Sequence, residues 1–189
     1  MPLPKKFYNR DAALVAKELL GCIFVKRDGK EKLKGKIVET EAYYGLGDPA
    51  SRARDKRIGS IMNGEAGIIF IYMVHGNWLF NITTMPHGNP SGILIRAVEP
   101  LAGIEIMKKR RKTDNIKNLT SGPGKFTQAF GIDKKYNGIK IYSRNSPIYI
   151  EKKKENEIEI VESYRIGVKE DLPVPLRFYI KGNKFVSKP

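Results

Sequence analysis

A chain of 189 residues, 41% hydrophobic and 29% charged, is long enough to bury a sizeable core and too apolar to be disordered. Its net charge of +15 calls for an anionic partner, nucleic acid before anionic membrane, with a lysine-rich solvated surface as the plainer reading. The longest apolar run, "IIFIYMV" at 68–74, is far too short to span a bilayer, and "MPLPKKFYNRD" lacks the apolar stretch of a signal peptide, so the protein is expected to be soluble, cytoplasmic and free of membrane.

In chain order, "NRDAALVAKELLG" (9–21) reads as a helix capped by Asn9 or Asp11 and ended by Gly21, with Ala12, Val15 and Leu19 on one side. "CIFVKR" and "LKGKIVETEAYY" read as two strands joined by a turn at Asp28-Gly29. The lone cysteine, Cys22, lies in the first and is expected to be a buried, inert thiol. Residues 45–66 are rich in turn formers and read as a long loop. "GIIFIYMVHGNWLFNITT" (67–84) suggests a hairpin with His75-Gly76 at its tip. "SGILIRAVEP" (91–100) reads as a strand ended by Pro100, and "LAGIEIMKKRRK" (101–112) as a helix with Leu101, Ile104 and Met107 inward. "TSGPGKFTQAFGI" (120–132) reads as a Ser121-capped helix with Phe126, Ala129 and Phe130 inward and Gly131 past its end. "GIKIYSR", "PIYIEKK", "EIEIVE" and "LRFYIKG" are short strand candidates, with "EKKKENE" (151–157) as a solvated hairpin turn. Helices and strands mix without βαβ alternation, which predicts one α+β domain over 1–189 around a largely antiparallel sheet.

Four stretches could carry chemistry. In "KIVETEAYYG" (36–45), Glu39, Glu41 and Tyr43 recur at every second position, so a strand would aim them at one face. A carboxylate there, desolvated beside aromatics, could act as a general base; two surface carboxylates among lysines is the competing reading. The two histidines, His75 and His87, match no metal-ligand spacing, and no metal or cofactor is expected. His75, at a hairpin tip, could serve as a wedge between base steps or be an ordinary exposed turn residue. Arg96, in an otherwise apolar strand, needs a partner: Glu99 or Glu105 internally, or a phosphate. "SGPGK" (121–125) opens a helix with two glycines and Lys125, which suits an anion, although it lacks the Walker spacing.

Taken in order, "VAKELLG", "GKIVETEAYYG", "DPAS", "IYMVHG", "FNI", "ILIRAVEPLAGIEIM", "SGPGKFTQAFGI" and "LRFYIKGNKFVS" resemble the alkyladenine (3-methyladenine) DNA glycosylase family; only residues from about 134 to 170 match loosely. The resemblance implies a single domain with a curved, partly open barrel-like antiparallel sheet and flanking helices. It implies excision of 3-methyladenine, 7-methylguanine or hypoxanthine from double-stranded DNA by base flipping, with water as nucleophile, no cofactor, and a monomeric protein associated with the nucleoid in a prokaryote. The family's general base falls on Glu41 and its base-stacking phenol on Tyr43. A second pocket aromatic falls on Tyr72, the intercalating wedge on His75, and the Asn that crowds the guanine amino group on Asn81. The Arg that helps hold the nucleotide backbone and the attacking water falls on Arg96. The resemblance leaves Glu39 a supporting role.

Two departures stand out. The family's "DPASHA" is "DPASRA" here, which puts Arg52 where a pocket His is usual. A guanidinium facing a cationic purine is repulsive. Arg52 then turns toward a phosphate, pairs with Glu41, or favours neutral lesions such as hypoxanthine; the first and third are the stronger options. The arginine-rich loop that follows is also shorter than usual, so phosphate contacts are not assigned over 54–60. A binding module on the same fold with impaired catalysis is the alternative; a formyltransferase-like enzyme acting on tRNA is weaker, for lack of a second domain.

Overall fold

The structure, a computed structural model, describes residues 1–152 and 157–188. A short helix α1 (Lys5–Tyr8) leads into α2 (Ala12–Leu19). Asp11 caps α2, its side chain accepting the Leu14 N–H, and Gly21 turns the chain at a φ of 83°. Strand β1 (Ile23–Asp28) folds back on β2 (Glu31–Tyr43) around Gly29. Strands β3 (Ile69–Val74) and β4 (Asn77–Thr83) form the expected hairpin, with positive φ at both His75 and Gly76, as tight hairpin turns of the I′ type require. Strand β5 (Gly92–Ala102) joins β4 to β2, β6 (Ile148–Glu151) adds to β1, and β8 (Arg177–Ile180) pairs with both β2 and β7 (Ile160–Ser163). The order is β3-β4-β5-β2-β1-β6 with β8 and β7 branching from β2, and every pairing is antiparallel. This is the α+β arrangement of a curled antiparallel half-barrel with flanking helices. Register shifts along the β2–β5 ladder, near Gly35 and at Glu39, supply part of the curl.

The core packs α2 and α5 (Pro123–Phe130) against the sheet. Phe24, Phe80, Phe126 and Phe130 meet edge to face, Phe24 and Phe126 with centroids 4.9 Å apart. Cys22 is buried and its thiol donates to the Glu18 carbonyl. No helix among the described residues is long and apolar enough to cross a membrane.

The structure corrects several expectations. Residues 45–66 are not bare loop: a 3₁₀ turn (Arg52–Arg54) precedes helix α3 (Lys56–Met62), which Asp55 caps by accepting the Arg57 and Ile58 N–H groups. Strand β5 runs through Pro100 to Ala102, because Pro100 sits at the bulge opposite Gly35, where its missing donor costs no regular ladder bond. Helix α4 is therefore Ile104–Arg111, and Leu101 is an exposed strand residue. Gly122, not Ser121, caps α5, since Ser121 bridges back to Ala97. "GIKIYSR" forms turns with one bridge to Ile68 rather than a strand. The turn expected at 151–157 falls largely on 153–156, outside the described residues.

Candidate active site

Strand β2 is buried on both faces through its second half. The Thr40 hydroxyl donates to the Ala16 carbonyl of α2 at 2.9 Å, so that side faces the helix. Glu39, Glu41 and Tyr43 face the other way. Both carboxylates are fully buried, which rules out the reading as surface carboxylates.

Arg96 of β5 reaches them both. Its Nε donates to Glu39 Oε1 at 3.0 Å and its Nη1 lies 3.2 Å from Glu41 Oε1. The partners expected from sequence are taken elsewhere: Glu99 pairs with Lys36 and Asn183, and Glu105 with Lys108. Glu41 also accepts the Ile166 N–H at 2.8 Å and the Tyr43 hydroxyl at 2.7 Å. Burial pushes the Glu41 carboxyl above the ordinary glutamate range; Arg96 and the two hydrogen bonds offset this only partly. Burial, and then the Glu41 charge, raise the Tyr43 phenol, which stays a donor.

The partners of Glu41 line a cavity of about 560 Å³, within the range of small-ligand sites. Tyr43, Arg52, Tyr72, His75, Arg96 and Lys125 all line it, although the sequence spreads them over six elements and loops. Glu41 is not itself a wall residue but is held by three that are, Tyr43, Arg96 and Ile166. Burial pushes the Tyr72 phenol up to about 12, and its ring lies 6.3 Å from Phe70 in a stacked pair. The start of α5 brings Lys125 to the rim, where it donates to Asn118. Gly124 lets the hairpin tip close on this helix: a Cβ there would lie 2.6 Å from Asn77 Oδ1.

Asn81 is buried and donates to the Leu79 carbonyl at 3.1 Å; it is not itself a wall residue of the cavity, but Leu79 and the register partner of Asn81, Leu94, are. Its strand neighbours Phe70 and Leu94 occupy the space on either side. Arg52 does not pair with Glu41. Its guanidinium carbon lies 5.8 Å over the Tyr72 ring, and it has no carboxylate partner among the described residues.

Sequence reasoning missed Arg165. Its fully buried side chain donates to both oxygens of Asp48 at 2.6 and 2.8 Å, to Asp171, and to the Ala42 carbonyl at 3.0 Å. Its guanidinium also lies 4.6 Å under the Tyr43 ring. It thus ties the loop after β2 to the segment that offers the Ile166 N–H to Glu41. Arg54, exposed at the surface, folds back on its own loop and donates to the Leu46 carbonyl at 2.9 Å. The only advance signal for Arg165 was a buried-charge argument that needs its partners, and Asp48 lies 117 positions away. No group of three or more His, Cys, Asp or Glu side chains able to hold a metal is found among the described residues.

Comparison with known proteins gives a consistent result. The family model described as methylpurine-DNA glycosylase (MPG) matches residues 6–184. A "Putative 3-methyladenine DNA glycosylase" of Methanoculleus marisnigri is 41% identical over 199 residues, with 100% of each chain covered. The protein of the same name from Carboxydothermus hydrogenoformans is 42% identical over 193 residues at 100% coverage of both. That of Francisella tularensis subsp. tularensis (strain SCHU S4) is 43% identical over 178 residues, covering 92% of each.

Proposed function

Because the chain belongs to the methylpurine-DNA glycosylase family and is a DNA-repair glycosylase, we propose that it flips a damaged purine nucleotide into the cavity and hydrolyses its glycosidic bond with a water activated by Glu41. The substrates are 3-methyladenine, 7-methylguanine and hypoxanthine in duplex DNA. The protein acts as a cytoplasmic monomer on the nucleoid.

A base inside a duplex is out of reach, and extruding it costs a few kcal/mol. Tyr43 and Tyr72 line the cavity and offer ring faces for stacking, each worth about 1–3 kcal/mol per base. His75, at the exposed tip of the β3–β4 hairpin, fills the gap left in the stack. The surplus positive charge supplies phosphate affinity independent of sequence, with Lys125 at the rim.

In the chemical step, water oxygen bonds to C1′ as the C1′–N9 bond breaks and its electron pair leaves with the purine. Glu41 accepts the water proton, and its charge favours the oxocarbenium-like sugar. Methylation at N3 or N7 makes the purine a cationic leaving group, so little else is required. The raised pKa suits this role, since a carboxylate of higher basicity takes a proton more readily. Arg52, exposed at the cavity wall over Tyr72, disfavours a cationic purine and shifts preference toward hypoxanthine.

The observation that carries this reading is the buried Glu41, held by Arg96, Tyr43 and Ile166, which line one cavity together with Tyr72. The test is an oligonucleotide with one hypoxanthine, treated with protein and then hot alkali. Glu41→Gln is expected to lower single-turnover cleavage by about 10²–10⁴ while lesion binding persists. Undiminished cleavage by that variant would remove Glu41 from the mechanism.

A further inference from the structure

The reaction above leaves Glu39 without a task, yet it is fully buried and more heavily engaged than Glu41. Its Oε1 accepts from Arg96 Nε at 3.0 Å, from Arg177 Nε at 2.8 Å and from the Ser187 hydroxyl at 2.8 Å; its Oε2 accepts the Ser187 N–H at 2.6 Å. Arg177 donates in turn to the Lys188 carbonyl. The carboxylate two positions before the base is thus clamped by β8 and by the last residues of the chain.

Arg96 divides its guanidinium between the two glutamates. Nε serves Glu39, and only Nη1 approaches Glu41, at 3.2 Å. An arginine with one carboxylate neighbour tends to pair with it through two nitrogens, the strongest form of this contact. Such a pair would stabilise the ionised base and make it a poor proton acceptor. We propose that Glu39 is a positioning residue: fixed by Ser187 and Arg177, it holds Arg96 off a two-point pairing with Glu41 and so leaves that carboxylate able to take a proton from water. This rests on Glu41 being the base.

The groups that face Glu41 all bear on the outcome. Glu39 and Tyr43 come from β2, Arg96 from β5, Tyr72 from β3, and Arg177 is its register partner on β8. The Ile166 N–H comes from the loop after β7, with Arg165 behind Tyr43. Neutralising Glu39 removes a like charge and releases Arg96 toward Glu41, and both changes favour the ionised base.

The experiment is the pH dependence of single-turnover excision of 7-methylguanine, whose leaving group is already cationic. In Glu39→Gln the acid limb is expected to move to lower pH by about one unit, with a lower plateau rate. A merely structural role would lower the rate at every pH and leave the limb in place, which would overturn the proposal. If Glu39→Gln does not fold, Ser187→Ala carries the test. With one clamp fewer, Glu39 holds Arg96 less firmly, and the limb moves to lower pH by less than in Glu39→Gln; a limb that stays in place or moves to higher pH overturns the idea. Failure of the base assignment itself would show differently, as retained activity in Glu41→Gln.

Discussion

Replacing Arg165 by leucine should reveal how strongly the buried ionic tie behind the cavity supports the fold. Arg165 and Asp48 both have fully buried side chains, joined at 2.6 and 2.8 Å. Removing one partner of such a pair strands the other charge and costs about 3–5 kcal/mol. Asp48 keeps the Tyr44 and Ala50 N–H groups, so the lower end, about 3 kcal/mol, applies. For a chain of 189 residues, each kcal/mol is about 2–4 °C, which gives a fall in Tm of about 6–12 °C near pH 7.

The pH dependence supplies a sign. Burial alone would raise the Asp48 carboxyl, but its hydrogen bonds to Arg165 and to backbone N–H groups hold it below the ordinary aspartate value. A folded-state pKa below the unfolded one contributes stability that is present above the unfolded value and lost as pH falls through the folded one. Without Arg165, burial dominates and Asp48 protonates more easily in the folded chain. The gap between wild type and Arg165→Leu should therefore narrow as pH falls below about 4. The double variant Asp48→Asn/Arg165→Leu, with no stranded charge, should recover much of the loss at pH 7. Thermal melts followed by circular dichroism read all three. A fall in Tm under about 2 °C at pH 7, or a gap that widens in acid, would refute the reasoning.

Two further outcomes follow from the cavity wall. Charge repulsion across about 6 Å is worth roughly 1–3 kcal/mol between solvent-like and protein-like screening, and the exposed Arg52 takes the lower end. Arg52→His should thus lower the ratio of hypoxanthine to 7-methylguanine excision about fivefold at a pH where the histidine is neutral; an unchanged ratio in single-turnover assays would dismiss the charge effect. His75 holds a φ of 47°, where glycine is unstrained, so His75→Gly should leave Tm unchanged or higher. The same variant loses the wedge, worth roughly 1–3 kcal/mol, and excision should slow about 5- to 150-fold. A full-speed His75→Gly enzyme would show the tip to be an ordinary turn.

Elements with a short-range signature were legible in the sequence. Period-2 alternation marked β2 and the hairpin, Asp11 and Gly21 bracketed α2, and Pro123 and Gly131 bounded α5. The motif order placed Glu41, Tyr43, Tyr72, His75 and Arg96 in one resemblance before any fold was known. Pro100 misled because its cost depends on whether a ladder bond is wanted there, which only the bulge opposite Gly35 decides. Asn81 was legible as a strand residue, but only the register places it beside Leu94, a residue of the cavity wall.

By itself, then, the chain determined its local elements, its basic surface and which strand face carries two carboxylates and a phenol, because those properties follow from neighbours a few positions apart. Tertiary structure alone decided that Arg96 is shared between Glu39 and Glu41, that Ser187 closes on Glu39 from 148 positions away, and that Arg165 locks Asp48 beneath Tyr43. Buried charges choose partners by register and proximity in space, and burial then sets how much each pairing matters.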